Sequence, residues 1–172
     1  MDTVIEKQTD APLSADDSAA VIEKLARKAR AAQHVLAGMS DDAKADALRA
    51  AAASLRDHAA EILAANAKDI DAAKERGLSS AMIDRLKLDE DRLEGIAAAV
   101  ENVADLTDPV GQVIDRSERP NGLQFARVRV PVGVIGIIYE SRPNVTADAA
   151  TLCVRAGNAA LLRGGSEAVH SN

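Results

Sequence analysis

The fold of this chain is decided by one stretch, RVRVPVGVIGIIYESRPNVTADAATLCVRAGNAALLRGGSEA, which occupies residues 127–168. Residues 132–138 form an apolar, β-branched run interrupted only by two glycines. A run of this kind is typical of a parallel strand that is covered on both faces. Residues 159–162 predict a second short buried strand further along the same stretch.

The residues between these two strands predict a helix. Pro143 suits a first helical turn, because the N–H that proline lacks has no partner there. Residues 146–155 continue the helix, and the pair Gly157-Asn158 ends it. Two strands joined by a helix make a βαβ unit, which predicts an α/β fold with a parallel sheet.

Polar residues follow both predicted strands. They are residues 139–142, Tyr-Glu-Ser-Arg, and residues 163–166, Arg-Gly-Gly-Ser. Sheets of this class bind their ligands at the carboxyl ends of the strands. Gly164 and Gly165 lie between a strand and a predicted further helix, where backbone N–H groups can approach a phosphate. On spacing alone, a structural turn explains the two glycines equally well.

Residues 14–110 predict a region that is nearly all helix. Apolar residues recur there at helical spacing, and Gly38 is expected to end the first helix. The next helix is expected to carry one apolar stripe from Leu48 to Leu63 before any bend. Gly77 is expected to end the helix that follows the bend. Residues 1–13 are polar and are predicted to form a flexible tail. The residues expected to begin helices are Ser14, Ser40, Ser80 and Asp89.

Residues 111–130 predict a β-hairpin between the helical region and the βαβ unit. The two arms, residues 112–118 and 123–130, flank Asn121-Gly122, which is a strong hairpin-turn signal. Polar and apolar residues alternate in the second arm, which suits an exposed antiparallel ribbon. Because a lone two-stranded ribbon is marginal in water, we expect it to contact another subunit or domain.

Composition narrows the possible function classes. The net charge of the 172 residues is −6, which argues against nucleic acid and anionic membrane surfaces as partners. Residues 1–111 hold 22 acidic and 14 basic residues, whereas residues 112–172 hold five acidic residues and seven arginines. No apolar run is long enough to predict a membrane span. The one cysteine predicts a reducing compartment, and we expect a cytoplasmic protein.

Cys153 is predicted to be a small core residue, because it lies in an apolar helical segment. A nucleophilic cysteine would need an electropositive, partly open setting. The histidines predict no metal site, since no ligand-spaced partner accompanies them. They are His34, His58 and His170.

The motifs YESRPNVT, residues 139–146, and GNAALLRGGSEA, residues 157–168, resemble those of γ-glutamyl phosphate reductases, a family within the aldehyde dehydrogenase superfamily. The resemblance implies an aldehyde dehydrogenase-like fold in which residues 131–172 begin an NADP-binding, Rossmann-like domain. Members of the family are much longer and carry their nucleophilic cysteine further along. We therefore expect this chain to be an N-terminal fragment without reductase activity of its own.

The resemblance also implies a reaction, in which NADPH reduces L-glutamate 5-phosphate to L-glutamate 5-semialdehyde with release of phosphate. This reaction is the second step of proline synthesis from glutamate. The superfamily motif Pro-Trp-Asn-x-Pro supplies an oxyanion donor, and matching the prolines places Ser141 at the asparagine. Asn144 follows three residues later, and the sequence does not decide between the two. Arg142 is expected to bind substrate.

The residues expected to bind the cofactor surround the ends of both strands. Where the superfamily has Lys-x-x-Glu after the second strand, this chain has Arg163 and Ser166. Arg163 can pair with a 2′-phosphate, and Ser166 removes a carboxylate that would repel it, which favours NADPH over NADH. The full expected set is Ile138, Tyr139, Arg163, Gly164, Gly165, Ser166 and Glu167.

The hairpin has a counterpart in the superfamily that helps to assemble oligomers, so the resemblance implies a homo-oligomer. A different class of function also fits the residues taken alone. In that alternative the helices form a non-catalytic assembly module, and the βαβ unit is only scaffold.

Overall fold

The computed structural model describes residues 14–140 and 142–172. The tail predicted over residues 1–13 lies outside the described residues. The described part contains helices α1 to α6, strands β1 to β4 and one 3₁₀ turn. In chain order they are α1 (Ala15–Ala37), α2 (Asp41–Asp57), α3 (Ala59–Glu75), α4 (Ser80–Leu86), α5 (Glu90–Ala104), β1 (Val113–Glu118), β2 (Gln124–Val128), β3 (Val134–Ile138), α6 (Pro143–Arg155), β4 (Ala159–Arg163) and the 3₁₀ turn (Ser166–Ala168). None of the helices among these residues is both long and apolar enough to cross a membrane.

Side-chain caps begin four of the helices. Ser14, Ser40 and Asp89 each accept a hydrogen bond from the backbone N–H three residues later, which confirms three predicted starts. For α4 the cap is Ser79 rather than Ser80, which is already helical. Gly77 ends α3 with a φ of +72°, a conformation that favours glycine.

The predicted position of the break in the helical region is wrong. The helix breaks at His58, which separates α2 from α3 with a φ of −101° and a ψ of 17°. The His58 Nδ1 atom lies 2.8 Å from the Ser54 carbonyl oxygen, one turn back along α2. The apolar stripe expected to run to residue 63 is therefore divided between two helices.

Helices α2, α5 and α6 pack together around a core of small side chains. Alanines dominate where α2 meets α5, and Val154 of α6 packs against the same cluster. Small side chains allow the helix backbones to approach closely. The buried members of the cluster are Ala45, Leu48, Ala52, Ala97, Val100 and Ala104.

Two buried cations fix the ends of these helices. The Lys44 side chain is fully buried in α2 and forms an ion pair with Asp108, which follows α5. Arg155, at the end of α6, is 5% exposed and pairs with Asp41 at 2.5 Å. The Arg155 Nε atom also donates to the Leu106 carbonyl at 2.8 Å. These contacts join α6 to the start of α2 and to the end of α5.

The predicted hairpin is present and exposed. Strands β1 and β2 pair antiparallel, with an irregularity in register between Val113 and Asp115. Every residue of both strands is exposed. Among the described elements, neither strand makes more than slight contact with anything except its partner strand.

Strands β3 and β4 pair parallel, with Val134 opposite Ala159, and α6 connects them. The predicted βαβ unit is confirmed. The prediction that both strands are fully covered is wrong for the described residues. Ile138 is 77% exposed and β4 is only half-buried. Helices α1 and α6 both contact β4, whereas α1 is the only described helix in substantial contact with β3.

The amino-terminal ends of this sheet are held by polar contacts with α1 and with the turn before β4. The Gly133 N–H donates to the Asn158 side chain at 2.8 Å, and the Gln33 amide donates to the Gly157 carbonyl at 3.2 Å. Gly157 has a φ of +72°, and a Cβ there would lie 2.9 Å from Pro131. Only glycine fits that position without a shift of its neighbours.

Candidate functional site

The carboxyl ends of β3 and β4 lie side by side. Ile138 is opposite Arg163 in the parallel register, and the Tyr139 N–H donates to the Arg163 carbonyl at 3.1 Å. The structure thus brings together three of the residues expected to contact the cofactor. Arg163 and Ile138 are exposed at this edge.

Gly164 is the point of closest approach beside this edge. A Cβ on Gly164 would overlap the Asn172 side-chain amide and lie 3.4 Å from the Tyr139 ring. The Tyr139 hydroxyl is 2.7 Å from the Thr146 hydroxyl, which donates to the Asn172 side chain at 3.1 Å. A side chain on residue 164 would therefore require the Asn172 side chain to move.

The segment after β4 forms a single 3₁₀ turn, Ser166–Ala168, followed by turn residues. The predicted further α-helix is thus not observed in the described residues. Ser166 is exposed. Its backbone carbonyl accepts a hydrogen bond from the Arg76 side chain at 3.4 Å. Ala168 is fully buried against α3 and α4 residues. Gly165, Ser166 and Glu167 therefore lie on a turn that is fixed to the helical region.

Two buried polar residues of α3 hold the chain after this turn. The Asp69 carboxylate accepts hydrogen bonds from the backbone N–H of His170 at 3.1 Å, from that of Ser171 at 2.9 Å and from the Ser171 hydroxyl at 2.6 Å. The Asn66 amide donates to the Ser171 hydroxyl at 3.3 Å and to the Leu86 carbonyl of α4 at 2.9 Å. Sequence reasoning missed both residues, because polar residues in a helix usually face solvent.

A second feature is an open cleft of about 560 Å³ between the α4–α5 segment and the start of α6. Two of the predicted site residues, Arg142 and Asn144, line it on the α6 side. Ser141, the other predicted oxyanion donor, lies outside the described residues. The α4–α5 side of the cleft was not predicted. The lining residues there are Asp84, Arg85, Lys87, Leu88, Arg92, Gly95, Ile96 and Ala99.

Asn144 belongs to the first turn of α6, and its side-chain amide donates to Asp148 at 3.1 Å. An amide group carries two N–H bonds, so a second hydrogen remains for a ligand oxygen. Arg142 precedes α6 as its N-cap residue but makes no side-chain cap hydrogen bond. Its exposed side chain lines the cleft.

Cys153 is buried in α6, as predicted. Burial raises the pKa of the Cys153 thiol above its ordinary value, because the thiolate would lose hydration there. The thiol is therefore protonated and shielded at neutral pH. These are the properties of a core residue rather than of a nucleophile.

No protein-family model matches this sequence. A γ-glutamyl phosphate reductase from Novosphingobium aromaticivorans is 65% identical over 158 residues, which are 92% of this chain and 37% of that protein. Another, from Rhizorhabdus wittichii, is 58% identical over 99% of this chain and 39% of its own length. This chain belongs to the γ-glutamyl phosphate reductase family. It spans less than two-fifths of the length of these relatives.

Solved structures agree with this assignment. The γ-glutamyl phosphate reductase of Thermotoga maritima superposes with a TM-score of 0.85 at 46% identity, over 88% of this chain and 36% of that one. The enzyme of the same name from Saccharomyces cerevisiae superposes with a TM-score of 0.83 at 36% identity, over 93% of this chain and 39% of that one. An aldehyde dehydrogenase-type protein of Bacillus subtilis gives 0.62 at 18% identity, over 88% and 31%, which supports the fold alone. The fold is aldehyde dehydrogenase-like, as the motifs implied.

Proposed function

We propose that the protein to which these residues belong is an NADPH-dependent reductase of L-glutamate 5-phosphate, acting in proline biosynthesis. The observation that carries the proposal is the 65% identity to a γ-glutamyl phosphate reductase over 92% of this chain. This identity favours the reductase over the alternative of a non-catalytic assembly module. The single cysteine supports the cytoplasm as the compartment.

The strand ends support NADPH as the cofactor. Arg163 is exposed and forms no ion pair with a described carboxylate, so its guanidinium is available for a phosphate. Ser166, three residues after Arg163, is also exposed and carries a hydroxyl. The two residues fit a 2′-phosphate in charge and in hydrogen-bonding capacity. When bound, NADPH would supply the hydride.

The cleft beside α6 supports a role in substrate binding. The positive charge of Arg142 would attract the anionic substrate. The Asn144 amide is the candidate oxyanion donor among the described residues, and Ser141 is the alternative. The nucleophile of the proposed reaction is not Cys153, because that thiol is buried and protonated. Residues 1–172 alone are therefore proposed to lack reductase activity.

The test uses the full-length enzyme in the reverse direction. Purified protein is mixed with glutamate 5-semialdehyde, inorganic phosphate and NADP⁺, and the formation of NADPH is followed by absorbance. We expect turnover that requires phosphate and is faster with NADP⁺ than with NAD⁺. Turnover that is independent of phosphate would contradict an acyl-phosphate reductase. Phosphate-dependent turnover that prefers NAD⁺ would contradict the cofactor assignment.

The exposed hairpin is proposed to join subunits of a homo-oligomer. Its strands carry apolar side chains that no described element covers, among them Ile114 at 51% and Phe125 at 48% exposure. A lone two-stranded ribbon is only marginally stable in water. A second copy of the chain is the proposed partner.

A further inference from the structure

The cleft between α4–α5 and α6 has the size of a ligand site. Its volume of about 560 Å³ is within the range of small-molecule pockets. Its lining combines the apolar residues Leu88, Ile96 and Ala99 with charged side chains. One wall comes from the helical region, and the other is the first two turns of α6.

Gly95 keeps this cleft open. It lies in the interior of α5, where glycine is less favourable than alanine. Arg92, Gly95 and Ala99 follow one another at helical spacing on the face that lines the cleft. A Cβ on Gly95 would meet nothing within 4 Å, so packing among the described residues does not require glycine. The missing side chain leaves space in the cleft instead.

The cleft carries an excess of positive charge. Its lining includes four cations, Arg85, Lys87, Arg92 and Arg142, and only two carboxylates, Asp84 and Asp148. The two carboxylates already have partners. Asp84 pairs with Arg92 at 2.9 Å, and Asp148 accepts from Asn144.

The cations differ in how freely they can bind a ligand. Arg92 is held in place, because it also donates to the backbone carbonyls of Asp84 and Lys87. Arg85 and Arg142 are exposed and form no ion pair with a described residue. They are the two cations best able to bind an anion from outside.

We propose that this cleft binds an anionic oxygen group of the substrate, with Arg85 and Arg142 as its cationic ligands and Gly95 as the position that leaves room for it. The proposal rests on the proposed function, whose substrate carries both a phosphate and a carboxylate. Either group has the chemistry that a planar guanidinium recognises with paired hydrogen bonds. The experiment distinguishes the phosphate from the carboxylate.

Reverse turnover by the full-length enzyme is suited to the test, because phosphate and glutamate 5-semialdehyde are then separate substrates with separate KM values. In Arg142→Gln and in Arg85→Gln, we expect the KM of one substrate to rise about tenfold or more, as the loss of a charged hydrogen bond predicts. A rise for phosphate identifies the phosphate group, and a rise for the semialdehyde identifies the carboxylate. Both KM values within twofold of wild type in both variants would overturn the proposal.

Gly95→Ala tests the shape of the cleft. We expect this variant to melt at a higher temperature than wild type while the same KM rises, because alanine favours the helix but narrows the site. An unchanged KM in a stabilised Gly95→Ala enzyme would refute the role assigned to Gly95. Two controls lie on α1 and directly after it. Arg27→Gln removes an exposed arginine, and Gly38→Ala replaces a glycine with a φ of −91°. Neither control is expected to change a KM.

Direct binding separates this proposal from the proposed function. Inorganic phosphate and L-glutamate are titrated into wild type and Arg142→Gln by calorimetry. Weaker binding of either probe to the variant supports the anion site even if the wild-type enzyme shows no phosphate-dependent turnover. Equal binding of both probes to wild type and variant counts against the site, whatever the activity.

Discussion

The ion pair between Lys44 and Asp108 offers a sharp test of how the helical region is held together. The Lys44 side chain is 0% exposed and that of Asp108 is 11% exposed. Burial opposes ionisation of Asp108, but hydrogen bonds from Lys44 and from the Val110 N–H outweigh it. The pKa of Asp108 therefore lies below its ordinary value. The pair connects α2 to the segment that leads into the hairpin.

Asp108→Asn removes the charge and keeps an oxygen that can accept from the Val110 N–H. The change leaves a buried lysine without its counter-charge, which typically costs about 3–5 kcal/mol of unfolding free energy. We expect a loss within that range, because the asparagine oxygen that accepts from the Val110 N–H leaves an NH₂ group facing Lys44, and an NH₂ group cannot accept a hydrogen bond from the ammonium. The assay is urea denaturation of the full-length protein followed by circular dichroism.

Asp105→Asn is the matched control. Asp105 pairs with Arg49 at 2.8 Å, but the two side chains are 70% and 51% exposed, so solvent screens them and little should change. Lys44→Met added to Asp108→Asn should restore part of the lost stability, because it removes the unpaired charge. If Asp108→Asn costs under about 1 kcal/mol, or if Lys44→Met makes it worse, the assignment of a stabilising buried pair is refuted.

The same pair predicts a dependence of stability on pH. The folded-state pKa of Asp108 is lowered, so its contribution is fully present above the pKa of the unfolded state. That contribution is lost as the pH falls below about 4. Asp108→Asn should therefore flatten the acid limb of the stability curve relative to wild type. A curve of unchanged shape would show that Asp108 titrates alike in the folded and unfolded chains.

Three further predictions concern the full-length enzyme. Ser166→Glu should shift the kcat/KM preference from NADPH toward NADH by about ten- to a hundredfold, since a carboxylate repels the 2′-phosphate; an unchanged ratio would remove Ser166 from the cofactor site. Phe125→Asp should lower the mass measured by light scattering, because it places a charge on the exposed hairpin; an unchanged mass counts against assembly through this ribbon. Cys153→Ala should keep most of its turnover and lose about 1 kcal/mol of stability; a folded variant that has lost several orders of magnitude in turnover would show that Cys153 is catalytic.

Local signals predicted the parts of the fold that depend on neighbours in the chain. Ser14, Ser40 and Asp89 begin helices because a side-chain oxygen reaches an N–H three residues away. Pro143 begins α6 and Asn121-Gly122 lies in the hairpin turn for equally local reasons. The βαβ unit follows from the order of such signals.

The break at His58 could not be predicted from signals in the neighbouring sequence. Residues 55–63 contain no glycine or proline, and their apolar spacing is continuous. Helix α2 packs along α5, and α3 turns away to contact α4 and the 3₁₀ turn. The position of the break is therefore set by tertiary packing, which overrides a pattern that would have permitted a single longer helix.

The unpredicted residues share a physical property that makes them informative in retrospect. Asn66, Asp69 and Gly95 are poor helix formers, yet each lies in a helix interior. Asn66 and Asp69 bond to residues 20 and 101 positions away or more, and Gly95 faces an open cleft. Each therefore bears a cost in helix propensity that no neighbour in the chain explains. Such residues indicate where the helical region meets the segments that carry the candidate site. An asparagine, aspartate or glycine in a helix interior is therefore evidence for a distant contact or for a space that must stay open.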